Sequence, residues 1–411
     1  MNRFDIVLQT TPNVTPLPDF APCNRVDGEN EWAHIEAIAY EGASYNGKKT
    51  KVFAYIGFPE TAEKKPVPAM VLVHGGGGHA FAEWVKMWND RGYAAIAMDN
   101  TGFFPSKEGI SSAGTGTDPQ TLWHHGLWGD LAEDGYTDAP TNDEMKTAEE
   151  PLTEQWMYHA VASTILAHNI LLADERVDSD RIGITGISWG GVIASLAIGF
   201  DTRYAFAIPV YGSGYLEQTH GWIKNCFSHE LTRKNWSAAD RFDRVKIPVF
   251  WVCFPDDLAF SVNSNSRSYE DTKNAGAVFL MLQNMEHDHM WGWAPPEIMH
   301  FADSVVKGAP SFTRCVTEPE GRSFSFAIEP AADATAVTAR IAYITAPLSY
   351  SKKEGMFIPS IDQKWQFAPC DVSDNTVHGT LPDEAVNYYV ELSTVTPRGT
   401  LLTTTRFVEK I

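Results

Sequence analysis

The stretch RIGITGISWGGVIAS, residues 181 to 195, constrains this chain more than any other. An apolar strand runs into Gly186-Ile187-Ser188-Trp189-Gly190, and the chain leaves as WGGVIASLAIGF, an apolar helix. A serine at so sharp a junction must adopt a strained backbone conformation, and the residues two places away on either side must be small to avoid collision. The plain alternative is a serine that caps the helix N-terminus with its hydroxyl. The strand ahead and the helix behind favour the strained turn, with Ser188 presenting a nucleophile beside a helix N-terminus.

The same strand-to-helix theme recurs along the chain. TKVFAYIGFP alternates and ends at Pro59, and VPAMVLVHGGGG is a continuous apolar run that opens into glycines, the pattern of a buried parallel strand. A helix HAFAEWVKMWNDRG and a strand YAAIAMD follow. Further strand and loop units occupy 204–214, 247–257 and 277–289, before a closing helix from Pro296 to Lys307. Strands alternating with helices predict an α/β domain over 51–308 with a doubly wound, mostly parallel sheet. Residues 1–50 read as an irregular extension. The polar stretch 100–150 is too long for a plain connection and reads as a cap or lining insertion. From 311 to 411 the texture becomes short alternating strands with turn residues between them, which predicts an all-β sandwich of the immunoglobulin or fibronectin type.

Composition excludes several classes. Fifty-two acidic against 32 basic side chains give a formal charge of −20, and no basic run is available to neutralise phosphates, so nucleic acid and anionic membranes are poor partners. No window approaches the roughly 18 uninterrupted apolar residues of a membrane helix. The start shows no apolar h-region with a cleavage site. As it stands the sequence reads as cytoplasmic, or periplasmic or secreted where a signal peptide has been removed. Five cysteines lie far apart in no metal-ligand spacing, which reads as buried thiols in a reducing compartment. Self-association is left open.

A second element joins Ser188. His74-Gly75-Gly76-Gly77-Gly78-His79 follows a buried strand, where glycines let backbone N–H groups approach a developing negative charge. Gly75 or Gly76 would share that task with the N–H of Trp189, while His74 reads as an anchor of the loop. A phosphate loop is disfavoured, because neither G-K-[ST] nor G-x-G-x-x-G is present. After the strand IPVFWVCF come Asp256 and Asp257, and after AVFLMLQNM come His287 and His289. Asp257 is favoured over Asp256, because the strand end needs a residue or two to turn; His287 is favoured over His289. Roughly seventy residues from serine to acid and about thirty from acid to histidine leave room for the intervening elements. A His-x-His zinc pair lacks a third ligand of matching spacing. The reading is acyl transfer without metal or cofactor: His287 takes the Ser188 proton, Asp257 orients the imidazole, and Trp189 with Gly75 or Gly76 binds the oxyanion.

With VDSDRIGITGISWGG, PVPAMVLVHGGGGHAF and RGYAAIAMD in place, residues 52–306 resemble the acetylxylan esterase and dienelactone hydrolase branch of the α/β-hydrolases, near the prolyl-oligopeptidase-like catalytic domains. The resemblance implies a serine esterase that deacetylates sugars. Three departures are present: His74-Gly75-Gly76 stands where acetylxylan esterases usually carry His-Gly-Tyr, their catalytic histidine is usually flanked differently from MEHDHMWGW, and the C-terminal β domain is not part of their usual architecture. Trp123, His125, Trp128 and Trp291 are candidates for lining a small-molecule or oligosaccharide ester site, flat indoles being suited to stacking on sugar rings. Packing of the lid and core is the alternative for each tryptophan, including Trp189 and Trp293. His124 and His125 also read as ordinary polar loop residues. Two other functions compete. A prolyl-oligopeptidase-type peptidase is disfavoured, since about fifty residues ahead of the core cannot build a gating propeller. A non-catalytic carbohydrate-binding protein is disfavoured by the complete set of Ser, Asp and His candidates.

Overall fold

The apolar run Val67–Val73 is buried at every position, as a strand covered on both faces must be. The computed structural model describes residues 2–22, 32, 34–105, 123–125, 135–137, 139–257, 259–308, 311–351, 360–361 and 364–409. They form two units, 1–207 with 226–237, and 208–225 with 238–411.

In the first unit the strands are β1 (Val14–Pro16), β2 (Ile35–Glu41), β3 (Lys51–Gly57), β4 (Val67–Val73), β5 (Ala94–Met98), β6 (Phe103–Pro105), β7 (Trp123–His125) and β8 (Val177–Ile187). Six of them lie in the order β1-β2-β3-β5-β4-β8. β4 is parallel to β5 and β8, whereas β1, β2 and β3 join antiparallel. Val73 pairs with both Met98 and Gly186, so three parallel strands end level and send their loops to one edge. Helix α1 (Asp5–Leu8), α2 (Ala82–Asp90), α3 (Trp156–Leu172) and α4 (Trp189–Phe200) cover this sheet, with α2 against β5, α4 against β8, and α3 against α4.

The expectation of an irregular segment 1–50 is corrected. β2 pairs with β3 from Ile35↔Gly57 to Glu41↔Lys51. Its sequence, IEAIAYE, is buried at consecutive positions 37 to 40, which erases the period-two signal by which a half-buried strand is recognised. Tyr40 also donates its hydroxyl to the Ser163 carbonyl at 2.9 Å. Asn169 reaches back from α3 to the carbonyls of Val7 and Thr10 at 2.8 and 2.7 Å. The amino-terminal segment is thus built into the unit.

The chain passes into the second unit within β9 (Phe206–Val210). There β10 (Phe250–Cys253) and β11 (Val278–Met281) run parallel to one another and to the end of β9. Helices α5 (Val262–Thr272), α6 (His289–Trp293) and α7 (Pro296–Val306) follow. The carboxy-terminal part is all β: β12 (Arg314–Cys315), β13 (Ser323–Glu329), β14 (Ala336–Ile344), β15 (Tyr350–Ser351), β16 (Ser360–Ile361), β17 (Gln366–Ser373), β18 (Thr376–Thr380), β19 (Asn387–Thr396) and β20 (Gly399–Thr404). β15 and β16 pair with each other, and the other seven form one antiparallel sheet ordered β12-β13-β18-β17-β14-β19-β20.

That sheet curls on itself. Thr394 and Thr403 in β19 and β20 donate to the Thr313 hydroxyl and carbonyl, at 2.6 and 3.0 Å, beside the opposite edge strand β12. Its interior holds Phe324, Phe326, Ile328, Ile341, Tyr388, Val390 and Leu392. Alternating apolar and polar residues, which suggested two packed sheets, serve equally well for one curled sheet, because period two fixes the faces and not the pairing. The β domain is docked on the α/β elements of its own unit. The Met281 N–H donates to Thr404 Oγ1 at 3.2 Å, Leu402 N–H to Glu297 at 3.2 Å, and Tyr269 to Glu318 at 3.0 Å. Among the described residues no helix is long and apolar enough to cross a membrane.

Candidate active site

Two constellations carry chemistry, one in each unit. In the first, Ser188 lies between β8 and α4 with φ 59° and ψ −120°, a region that L-residues with side chains rarely enter. Its carbonyl accepts the N–H of Val192 at 3.1 Å, yet its side chain makes no cap hydrogen bond to the helix. The ordinary reason for a serine at this place is therefore missing. Strain of this kind costs on the order of 1–3 kcal/mol. α4 is buried along its whole length, Val192, Ile193, Leu196, Ile198 and Phe200 included, and each such side chain stabilises by about 1.5–3 kcal/mol. Packing holds the turn comfortably.

The flanking glycines are dictated by backbone. A Cβ on Gly186 would run into the carbonyl of Gly190, and a Cβ on Gly190 into the carbonyls of Val73 and His74. Neither obstacle can rotate away. Gly190→Ala is expected to destabilise the protein by several kcal/mol, about 3 or more, the scale of severe overpacking against immovable neighbours. Denaturant unfolding of the purified variant, or its loss from the soluble fraction, checks this; a stability within about 0.5 kcal/mol of the parent contradicts it.

The glycine loop leaves the end of β4, next to β8. Gly78 N–H donates to the Gly75 carbonyl at 3.1 Å, closing a turn whose third residue, Gly77, has φ 71°. Gly76 approaches the side chain of Trp189 so closely that a Cβ would lie 2.9 Å from its Cδ1. His74 is fully buried and fixed at both ring nitrogens: Nδ1 to the Gly75 carbonyl at 2.8 Å, and Nε2 accepting from the Asn100 N–H at 3.0 Å. The Asn100 side chain donates to the His74 carbonyl at 2.9 Å, and the Asn100 carbonyl accepts from the indole of Trp156 at 2.7 Å. His74 anchors the loop. Burial pushes the nearby His79 imidazole down to about 4, so it is neutral near pH 7.

The second constellation is a histidine and carboxylate pair. His287 Nδ1 lies 2.8 Å from Asp257 Oδ2. The carboxylate is fully buried, and its other oxygen accepts the N–H groups of Ala259 and Phe260 at 2.8 and 3.1 Å. Asp257 ends a turn that begins at Phe254, closed by a 3.4 Å bond from the Asp257 N–H to the Phe254 carbonyl; Pro255 occupies the second position, where a fixed φ is favourable. The imidazole is held between aromatic rings, Phe260 stacked at 5.8 Å and Tyr211 at 4.7 Å between centroids. Tyr211 also donates its hydroxyl to the carbonyl of Asp288. Burial, with the charge of Asp257 next, raises its phenol well above the usual range and keeps it a donor. Asp288 in turn caps α6, accepting from the Trp291 N–H at 2.7 Å.

The remaining candidates divide. Asp256 Oδ1 accepts from the indole of Trp365 at 3.4 Å. His289 starts α6, its ring 6.4 Å from that of Trp293. Trp189 is 2% exposed and lies edge-on to Trp156 at 5.2 Å, and Trp293 is also buried, so both indoles are packing groups. Trp291 and Met290 are exposed, at 42% and 63%. Trp123 and His125 are backbone partners of Pro105 and Phe103, and Trp128 lies outside the described residues. Tyr211 and Phe260 were missed by the sequence reading; the only signal was an aromatic directly after each strand or turn, in PVYGSG and DDLAF. Among the described residues no three His, Cys, Asp or Glu side chains are grouped to hold a metal.

A mixed sheet with level parallel strand ends and a strained serine elbow defines the α/β-hydrolase fold of serine hydrolases. The model of the prolyl oligopeptidase family matches residues 142–303, less than half of the chain but the part that contains Ser188, Asp257 and His287. Acetyl xylan esterase from Paenibacillus sp. R4 is similar in structure, with 17% identity, a TM-score of 0.51, and 73% of this chain and 91% of that one covered. Acetyl xylan esterase 1 from Thermoanaerobacterium sp. JW/SL YS485 is similar at 15% identity and a TM-score of 0.50, covering 74% and 92%. No curated protein compared with the chain matches it in sequence. The chain has the α/β-hydrolase fold, and its residues 142–303 are similar to the prolyl oligopeptidase family.

Proposed function

We propose that the protein is a carboxylesterase that removes acyl groups, acetyl above all, from an acylated carbohydrate. The observation that carries the reading is Ser188 at φ 59°, held in a costly conformation without capping the helix it precedes. Ser188 is the nucleophile, His287 the base and Asp257 its orienter, in the chain order this fold uses. Ser188 Oγ bonds to the ester carbonyl carbon while its proton passes to His287 Nε2. The N–H groups of Trp189 and of Gly75 or Gly76 stabilise the oxyanion. The alcohol leaves with the proton from His287, and water then releases the acid by the same steps in reverse. Exposed Trp291 is a platform for the sugar. Two acetyl xylan esterases sharing the fold support the substrate class by analogy.

The family match supports a second reading, a peptidase acting through the same serine. Three substrates separate them: acetylated xylo-oligosaccharide, p-nitrophenyl acetate against butyrate, and peptide p-nitroanilides. Acetate release from the sugar with preference for the acetyl ester is the expected result. Turnover of anilides without acetate release establishes the peptidase instead, and turnover of none overturns both.

A further inference from the structure

We propose that the carboxy-terminal β domain is part of the catalytic apparatus, through a positioning pair, Trp365 and Tyr389, that braces the two loops carrying Asp257 and His287. The inference rests on the proposed roles of those two residues.

Trp365 precedes β17, and its indole N–H donates to Asp256 Oδ1 at 3.4 Å. Asp256 is the third residue of the Phe254–Asp257 turn, so a bond to it acts on the backbone that aims the adjacent carboxylate. The indole is itself wedged against Tyr389 at 5.0 Å and Phe407 at 6.4 Å, both edge-on. Tyr389 makes the second connection: its hydroxyl accepts from Gln283 Nε2 at 2.7 Å. Gln283 lies just after β11, on the loop that reaches His287. One aromatic pair therefore touches the acid's loop and the base's loop, while Thr404 of β20 bonds the N–H of Met281 at the end of β11. Beside its docking contacts on α5 and α7, the domain thus reaches both strand ends that lead to Asp257 and His287. Misplacement of catalytic groups by about 1 Å can cost roughly a hundredfold in rate, so modest bracing contacts have large leverage.

The test compares Trp365→Phe, Asp256→Ala, Asp256→Asn and the Trp365→Phe/Asp256→Ala double variant. The phenyl ring keeps most of the wedge and loses the N–H; in Asp256→Asn the amide oxygen can still accept from the indole. Measured with p-nitrophenyl acetate, Trp365→Phe and Asp256→Ala should each lower kcat about tenfold, the scale of one lost bond to a charged group, with KM nearly unchanged. The double variant should be no worse than either single one, and Asp256→Asn should stay near the parent. The downfield proton resonance of the His287 Nδ1–H to Asp257 bond should shift or broaden in the same variants, with melting temperature held. Multiplying losses in the double variant, an Asp256→Asn variant as poor as Asp256→Ala, or an unmoved resonance and kcat in Trp365→Phe overturns the proposal. Should the parent hydrolyse no substrate, the functional reading fails, while the resonance still reports whether the brace positions the pair. Asp256→Ala, at the one partly exposed side chain of its turn, keeps the test open if Trp365→Phe does not fold.

Discussion

Ser188→Ala is expected to lower kcat for ester hydrolysis by about 10⁴-fold or more while leaving the fold intact. Alanine keeps the Cβ and hence the packing of the elbow, and the hydroxyl removed makes no helix cap whose loss would register as stability. Ser188→Gly should be equally inactive and more stable than Ser188→Ala. The dihedrals 59° and −120° are the mirror image of an ordinary extended conformation, open to glycine and costly for any residue with a Cβ. Relief of that strain, on the order of 1–3 kcal/mol, outweighs the roughly 0.5–1 kcal/mol that glycine costs through the unfolded chain. Rate assays with active-site titration, alongside denaturant unfolding of both variants, check the pair of statements. A Ser188→Ala enzyme within tenfold of the parent would remove Ser188 from the reaction. A Ser188→Gly variant less stable than Ser188→Ala would remove the strain from the argument.

What could be read in the sequence was whatever depends on a local rule. The elbow is legible because a strained turn imposes glycines at fixed offsets, and at 186 and 190 the obstacles are backbone carbonyls that no repacking can move. The parallel strands β4 and β10 were visible as apolar runs ending in loops. β2 was not, since burial at consecutive positions leaves no alternation to detect. α3 escaped notice for a related reason: fourteen of its seventeen residues are buried, so it shows no amphipathic stripe. The β domain's strands were legible but not their pairing, because closure of the curled sheet rests on threonine contacts such as Thr394 to Thr313 between residues eighty-one apart. The same holds at the site. That an acid follows one strand and a histidine the next could be read in order, but that the rings of Tyr211 and Phe260 flank His287 and that Trp365 reaches Asp256 could not, as no local rule links positions so far apart.

Asp257→Asn is expected to cost about 10⁴-fold in kcat, and Asp256→Asn next to it almost nothing. The reason lies in which oxygen is already committed. Oδ1 of Asp257 accepts two backbone N–H groups, from Ala259 and Phe260, and Oδ2 faces His287 Nδ1. An asparagine must keep its single oxygen toward the two N–H groups, since turning the amide would set donor against donor in a fully buried place. Its NH₂ then points at His287. The imidazole can answer only by accepting at Nδ1, which moves its own proton to Nε2, the nitrogen that receives the Ser188 Oγ proton in the proposed mechanism. Geometry survives and the tautomer is wrong. At Asp256 one oxygen meets an indole N–H, and an amide oxygen serves there as well. Parallel kinetics of the two variants, with the downfield imidazole resonance lost in Asp257→Asn and kept in Asp256→Asn, decide the matter. Equal losses in both would mean that the acid's part is to shape the turn rather than to hold the histidine's proton.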